Sequence, residues 1–221
     1  MSTRTKDAGI PAHVARRMEA SQRAFRAVVW PAISTLPVVG GGSLATDDPK
    51  QRGSSALELD RRAGIDHWQV LPDGDMRGIA ARVQWLEAGQ CQGTMTVRTG
   101  SAFSGDTEIV KRYRAIQQGS RGHLYPWLTA HAYVRVCGDA SGKRWLLEQA
   151  YVAETVPFIE LAWDLCAHPG RYRAQCGKGW GTRQGPYDLF LWITPQFGQR
   201  HGVDVQTVGW WDCHQPVSGV A

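Results

Sequence analysis

From about Pro11 to Ile33 apolar residues recur at three- and four-residue steps, through Val14, Met18, Phe25, Val28 and Val29. That spacing predicts an amphipathic helix with Arg16, Arg17, Glu19 and Arg23 outside and an end near Trp30-Pro31. Between Leu57 and Trp85 two apolar-rich runs flank Pro72-Asp73-Gly74-Asp75, whose turn chemistry predicts a β-hairpin. Thr94 to Arg98 alternates as a strand, Thr99 to Gly105 reads as a small-residue turn, and 107–116 reads as a short helix. Asp106 or Thr107 is suited to cap that helix, and Ile109, Tyr113 and Ile116 share one side. In Leu124 to Val136 a set of Leu128, Ala130, Ala132, Val134 and Val136 alternates with Thr129, His131, Tyr133 and Arg135, which predicts a long strand. Asp139 to Gly142 turns it into a second strand, Lys143 to Ala153. Val156 to Cys166 has helical spacing, with Thr155 as cap and His168-Pro169-Gly170 as stop. Asp188 to Ile193 and Val203 to Trp211 are the last strands expected.

Two stretches break these periods. Leu36 to Ser55 is rich in Gly, Pro, Ser and Asp and reads as a flexible loop. Its Gly40-Gly41-Gly42 is not a phosphate-binding loop, because no Gly-Lys-Ser/Thr follows. Arg171 to Tyr187 is glycine-rich and basic; it reads either as a long connection or as a nucleic-acid loop. In the second case Trp180 would stack on a base while Lys178 and Arg183 meet phosphate. No repeat or composition shift divides the chain, so a single α/β (α+β) domain is expected, a central mixed sheet flanked by helices. Its parts are an N-terminal helix at 11–33, the loop at 36–55, a core at 56–136 and a sheet-and-helix extension at 137–221.

Composition narrows the function classes. The 221 residues are 43% hydrophobic, ordinary for a folded domain. A formal charge of +5 fits an anionic partner, nucleic acid being the commonest. The sequence lacks an apolar run long enough for a membrane span and a secretory core at its start, so a cytoplasmic location is expected. Five cysteines at Cys91, Cys137, Cys166, Cys176 and Cys213 predict reduced thiols, and without a Cys-x-x-Cys unit they make a poor zinc set with His168 and His214.

Candidate chemistry gathers in the hairpin. Asp60 and Asp66 come just before or within its first strand, while Arg82 and Gln84 alternate along its second and therefore point together. Gly64-Ile65-Asp66 followed by Ala81-Arg82-Val83-Gln84, with the order of elements, resembles the PD-(D/E)XK nuclease superfamily. The resemblance implies a restriction-endonuclease-like core and metal-dependent hydrolysis of DNA. Asp60, Asp66 and Gln84 would hold Mg2+, whose preference is for hard oxygen ligands, and Arg82 or Lys111 would contact the scissile phosphate. The sequence departs from the family pattern, since its second strand carries neither the acid nor the lysine. Either the site is rearranged or catalysis is lost. The structural alternative is that Asp66 caps or bridges locally to Arg82 and Gln84 is a surface residue.

Lys111, Arg112 and Arg114, with Arg98 nearby, offer a phosphate-facing surface or a solvated helix face. Two function classes follow: a divergent metal-dependent nuclease, and a binding module on the same fold that grips nucleic acid, with DNA expected, or a protein partner without cutting. The absent acid and lysine, together with ten tryptophans, suit the second.

Overall fold

The structure is a computed structural model that describes residues 12–45, 63–86, 93–101, 106–119, 124–139, 142–185 and 188–209. The predicted first helix is present and has an internal change of pitch. Helix α1, Ala12–Ala24, runs into a π-helical turn, Phe25–Val29, and then into α2, Trp30–Ile33. Pro31 supplies the reason: its ring has no N–H to donate and would crowd the carbonyl four residues back in a regular α-helix. The wider turn, closed by Trp30 N–H donating to Phe25 O, accommodates it. Phe25, Val29 and Ile33 are thereby all buried on the sheet.

That sheet has six strands in the order β1-β2-β3-β5-β6-β9. They are β1 Ser43–Leu44, β2 His67–Val70, β3 Met76–Leu86, β5 Leu128–Asp139, β6 Gly142–Glu154 and β9 Val205–Gly209. Strands β3 and β5 run parallel and the other pairs antiparallel. A second sheet, β4-β8-β7, is built from β4 Met95–Ser101, β7 Trp180–Gln184 and β8 Asp188–Ile193. Helix α3, Glu108–Gln118, follows β4; α4, Thr155–Ala167, follows β6; α5, Pro195–Arg200, follows β8. The fold is therefore mixed α+β, as the hydrophobic pattern predicts.

Both faces of the large sheet are covered at its centre. Phe25, Val29 and Ile33 pack with Ile79, Ala130, Ala132 and Val134 on one face. On the other, Tyr133 and Tyr151 pack with Phe158 and Leu165 of α4 and with Leu191 and Ile193 of β8. This double burial explains why the alternation in β5 does not mark an exposed side. Thr129, His131 and Tyr133 are as buried as the alanines between them, as in sheets packed on both faces. Thr129 and Thr155 satisfy each other through their hydroxyls at 2.9 Å. Among the described residues no helix is long and apolar enough to cross a membrane.

Several expectations are corrected. The triple glycine is a fixed connector: all three φ angles are positive, and a Cβ on Gly42 would lie 2.2 Å from Val70 O. The side-chain amide of buried Gln69 donates to Val39 O at 2.7 Å and Gly41 O at 2.6 Å, which holds the same segment. The expected turn from Thr99 is instead strand up to Ser101, bulged between Arg98 and Gly100. Thr155 is the first residue of α4, and Glu154 occupies the cap position. The stretch after His168 forms a 3-10 helix, Pro169–Gln175, and strand β7. The boundary expected at 136/137 falls inside β5, and β9 pairs with β6, so the C-terminal segment completes the main sheet.

Candidate functional site

The hairpin forms as predicted, with His67–Val70 paired to Met76–Ile79. Beyond that pairing β3 has no partner on its β2 side among the described residues and is held by β5, Arg82 opposite His131 and Gln84 opposite Tyr133. Paired residues of neighbouring strands share a face, so Arg82 and Gln84 do point together, toward α3 and the second sheet. Asp66 has a different task. Its Oδ2 accepts the Ala81 N–H at 2.7 Å, which satisfies a strand-edge donor where β2 has left off. Asp66 and Arg82 also line a shallow groove of about 280 Å3 between α1 and β3, with Arg17, Met18, Phe25 and His67. Asp60 lies outside the described residues.

The carboxylate that gathers the charged residues is Glu108, in the first turn of α3. Arg82 Nη2 donates to its Oε2. The Arg98 backbone N–H donates to the same oxygen at 3.1 Å, and Arg112 Nη2 reaches Oε1 at 2.7 Å. Burial alone would raise the Glu108 carboxyl, but Arg112 and Arg82, together with the Arg98 N–H, outweigh it and hold it at about 2. Arg112 is 4% exposed and its side chain passes beside Gly64. Gly64 has φ of 70°, and a Cβ there would lie 3.3 Å from Arg112 Nε, so conformation and space both favour glycine.

The second sheet closes the other side. Arg98 and Arg183 lie opposite Phe190 in β4-β8-β7, and the Arg82 guanidinium stands 4.9 Å from the Phe190 ring centre. Arg98 Nη1 is 3.6 Å from Asp188 Oδ1. Below them His131 is 1% exposed, and Thr96 N–H donates to its Nδ1 at 3.0 Å. That bond makes Nδ1 the acceptor and places the ring proton on Nε2. Burial first, then the Arg82 guanidinium, push the His131 pKa down to about 3, so the ring is neutral at physiological pH. His131 Nε2, the Nε atoms of Arg82, Arg98 and Arg112, and the acceptor Asp188 Oδ1 are buried with no hydrogen-bond partner among the described residues.

The other predicted site residues are dispersed. Arg112 leaves the proposed basic surface for this centre. Arg114 is exposed and paired with Asp106 at 3.0 Å. Lys111 is half-buried and its ammonium makes no ion pair among the described residues, and Lys178 is exposed in the turn before β7. Trp180 is 5% exposed and its indole N–H donates to Tyr172 O at 3.0 Å, so it is core and not a base-stacking platform. Cys137, Cys166 and Cys176 are free thiols, as expected; Cys91, Cys213 and His214 lie outside the described residues. Sequence reasoning missed Glu108, His131, Asp188 and Phe190. Only the Glu108–Arg112 spacing of four on a helix was a readable signal.

The donor set decides how a cation fits. Among the described residues no group of three or more His, Cys, Asp and Glu side chains is placed to hold a metal ion. Guanidinium has no lone pair for a metal, and Asp66 is engaged by Ala81. The residues described around Asp66 and Gln84 therefore do not fit Mg2+, whereas those around Glu108 suit an anion. Comparison with family models, curated proteins and solved structures finds no match.

Proposed function

We propose that the protein binds nucleic acid through the arginine centre and does not hydrolyse it. The observation that carries this reading is the meeting of Arg82, Arg98 and Arg112, from three separate elements, at the single carboxylate of Glu108. A guanidinium presents a rigid fork of donors that matches phosphate oxygens and keeps its charge at every physiological pH. Glu108 holds the arginines in place without neutralising them all. Arg82 and Arg98 retain 27% and 34% side-chain exposure, which leaves them reachable from solvent. The overall charge of +5 favours the same class of partner.

The test is binding of fluorescent DNA oligonucleotides, single-stranded and duplex, by the full chain at increasing salt. A grip on about three duplex phosphates predicts a roughly 40-fold loss of affinity between 50 and 200 mM salt. Arg98→Gln is expected to weaken binding at each salt concentration. The same DNA incubated with the protein plus Mg2+ or Mn2+ is expected to stay intact. A flat salt response would instead favour a protein partner, and Asp66-dependent cleavage would restore the nuclease reading.

A further inference from the structure

The face of the large sheet that α1 crosses is not covered along its whole length. In β5, Ala130, Ala132 and Val134 are 0–1% exposed, whereas Val136, next on the same face, is 44% exposed. The cover ends there because the helical segment is seated through Phe25, Val29 and Ile33, while Arg16, Arg17, Met18 and Glu19 near its start stand exposed. Two tryptophans fill the uncovered end. Trp85 of β3 is paired with Val134 and Trp145 of β6 with Val136, so both share that face. Their rings are half-buried, with centres 6.1 Å apart and planes at 60°. The Trp85 indole N–H donates to Ser21 Oγ at 3.1 Å, which fixes that ring against α1. Single apolar side chains on a surface are ordinary, but a contiguous patch built on two indoles marks a binding surface.

The charge around the patch says what it meets. The groove between α1 and β3 runs up to Trp85, since Ser21 lines it and accepts the Trp85 N–H. Arg17 lines the groove on the helix side, is exposed, and makes no ion pair among the described residues. Arg82 lines it on the strand side while its guanidinium reaches Glu108, so the groove and the arginine centre share a residue. The carboxylate that lines the groove, Asp66, accepts the Ala81 N–H. On the exposed part of α1, Arg16, Arg17 and Arg23 outnumber Glu19. Glu148 of β6 is held by Arg135, which alternates with Val134 and Val136 onto the opposite face. An aromatic surface with a cationic border fits a partner that is both anionic and flat-ringed. A second copy of the chain fits less well, because two-fold symmetry would set these arginines against one another.

We propose that Trp85, Trp145 and Val136, bordered by Arg17, form a stacking platform for the unpaired bases of a single nucleic-acid strand. Every base has a π-face that an indole accepts whatever the sequence, while Arg17 meets the phosphates beside it. In a duplex those faces are covered by neighbouring base pairs. The platform therefore selects a single strand over a duplex, a distinction that a grip on phosphate alone does not make. This rests on reading the partner as nucleic acid, and the experiment separates the two surfaces because Arg98 and Trp145 stand on opposite sides of the large sheet.

The experiment measures anisotropy of three labelled ligands with the full chain at about 150 mM salt. They are a strand of about 15 thymidines, its duplex with the complementary strand, and an abasic strand of equal length that keeps the phosphates and lacks the bases. Trp145→Ala is expected to weaken binding of the thymidine strand roughly 10-fold and to leave the duplex and the abasic strand level. Trp145→Phe, which keeps an aromatic face, stays within about threefold of the parent protein. Level duplex binding also shows that the variant is folded. Should Trp145→Ala not fold, Val136→Glu takes its place at an exposed position, where the new carboxylate repels a strand lying on the platform and the same selective loss is expected. Arg98→Gln weakens binding of all three ligands. Equal loss of the thymidine and abasic strands in Trp145→Ala, or no loss in either platform variant, overturns the proposal; a continued response to Arg98→Gln then leaves the arginine centre standing. A selective loss in Trp145→Ala with no response to Arg98→Gln keeps the platform and removes the arginine centre. A light-scattering mass of twice the chain that Val136→Glu halves, with strand binding unchanged, makes a second copy the occupant and overturns the proposal. Absence of binding to every ligand removes both readings.

Discussion

The corner where β2 leaves β3 and the first turn of α3 each carry a carboxylate close to Arg82, and they use it in opposite ways. At the corner Asp66 answers a backbone need, accepting the Ala81 N–H, which among the described residues no neighbouring strand reaches. At α3, Glu108 accepts from residues 26, 10 and 4 positions away and binds three elements together. The contrast teaches that an acid's place in a motif does not fix its role. What fixes it is which unpaired donors the fold brings within reach.

The comparison breaks most visibly if Glu108 is removed. Glu108→Ala leaves buried Arg112 without its counter-charge and is expected to cost about 3–5 kcal/mol, read from the urea midpoint at constant m-value. Acid should find the same centre. Both Glu108 and His131 are held below their ordinary values, so the stability each supplies is complete above that value and is lost as pH falls. For His131 the window runs from 6.5 down to about 3, and for Glu108 from 4.5 down to about 2. The Glu108 share is on the order of 3 kcal/mol. Denaturant midpoints measured from pH 7 to pH 3 should decline throughout, and Glu108→Gln should flatten the lower part. Asp66→Ala removes the acceptor of the half-buried Ala81 N–H and is expected to cost about 1–2 kcal/mol; a loss equal to that of Glu108→Ala would erase the distinction. Arg114→Ala, which breaks an exposed pair, should fall below about 0.5 kcal/mol.

The sequence made most of this fold legible where a period was clear. The helix through Phe25, the hairpin around Gly74, and the paired strands β5 and β6 were all readable from spacing. It concealed what depended on a second covering layer. β7 lacks apolar alternation because Gly181 must lie flat beneath the Trp192 ring, where a Cβ would be 2.6 Å from it, so the segment reads as a loop. Trp180 and Arg183 were therefore grouped as one surface, although one is core and the other faces the arginine centre. Glu108 was invisible for a similar reason. A lone acid in a first helical turn is ordinary helix-end electrostatics, and nothing local says that Arg82 and Arg98 will meet it. The pairing of Arg82 with Gln84 on one face was correctly read, while Asp66, expected as a metal ligand, accepts a backbone N–H, in line with the alternative of a local cap.

The π-helical turn at Phe25–Val29 holds one residue more than an α-helix would use for the same path, and so sets the phase of everything before it. Deleting a residue there would relax the turn and rotate α1 by about 100°, one residue's share of a helical revolution. Ser21, which now accepts the Trp85 indole N–H at 3.1 Å, would swing off the sheet together with Met18 and Arg17. A one-codon deletion at this turn is thus a lesion that would unseat the outer helix while leaving the guanidinium cluster across the sheet intact.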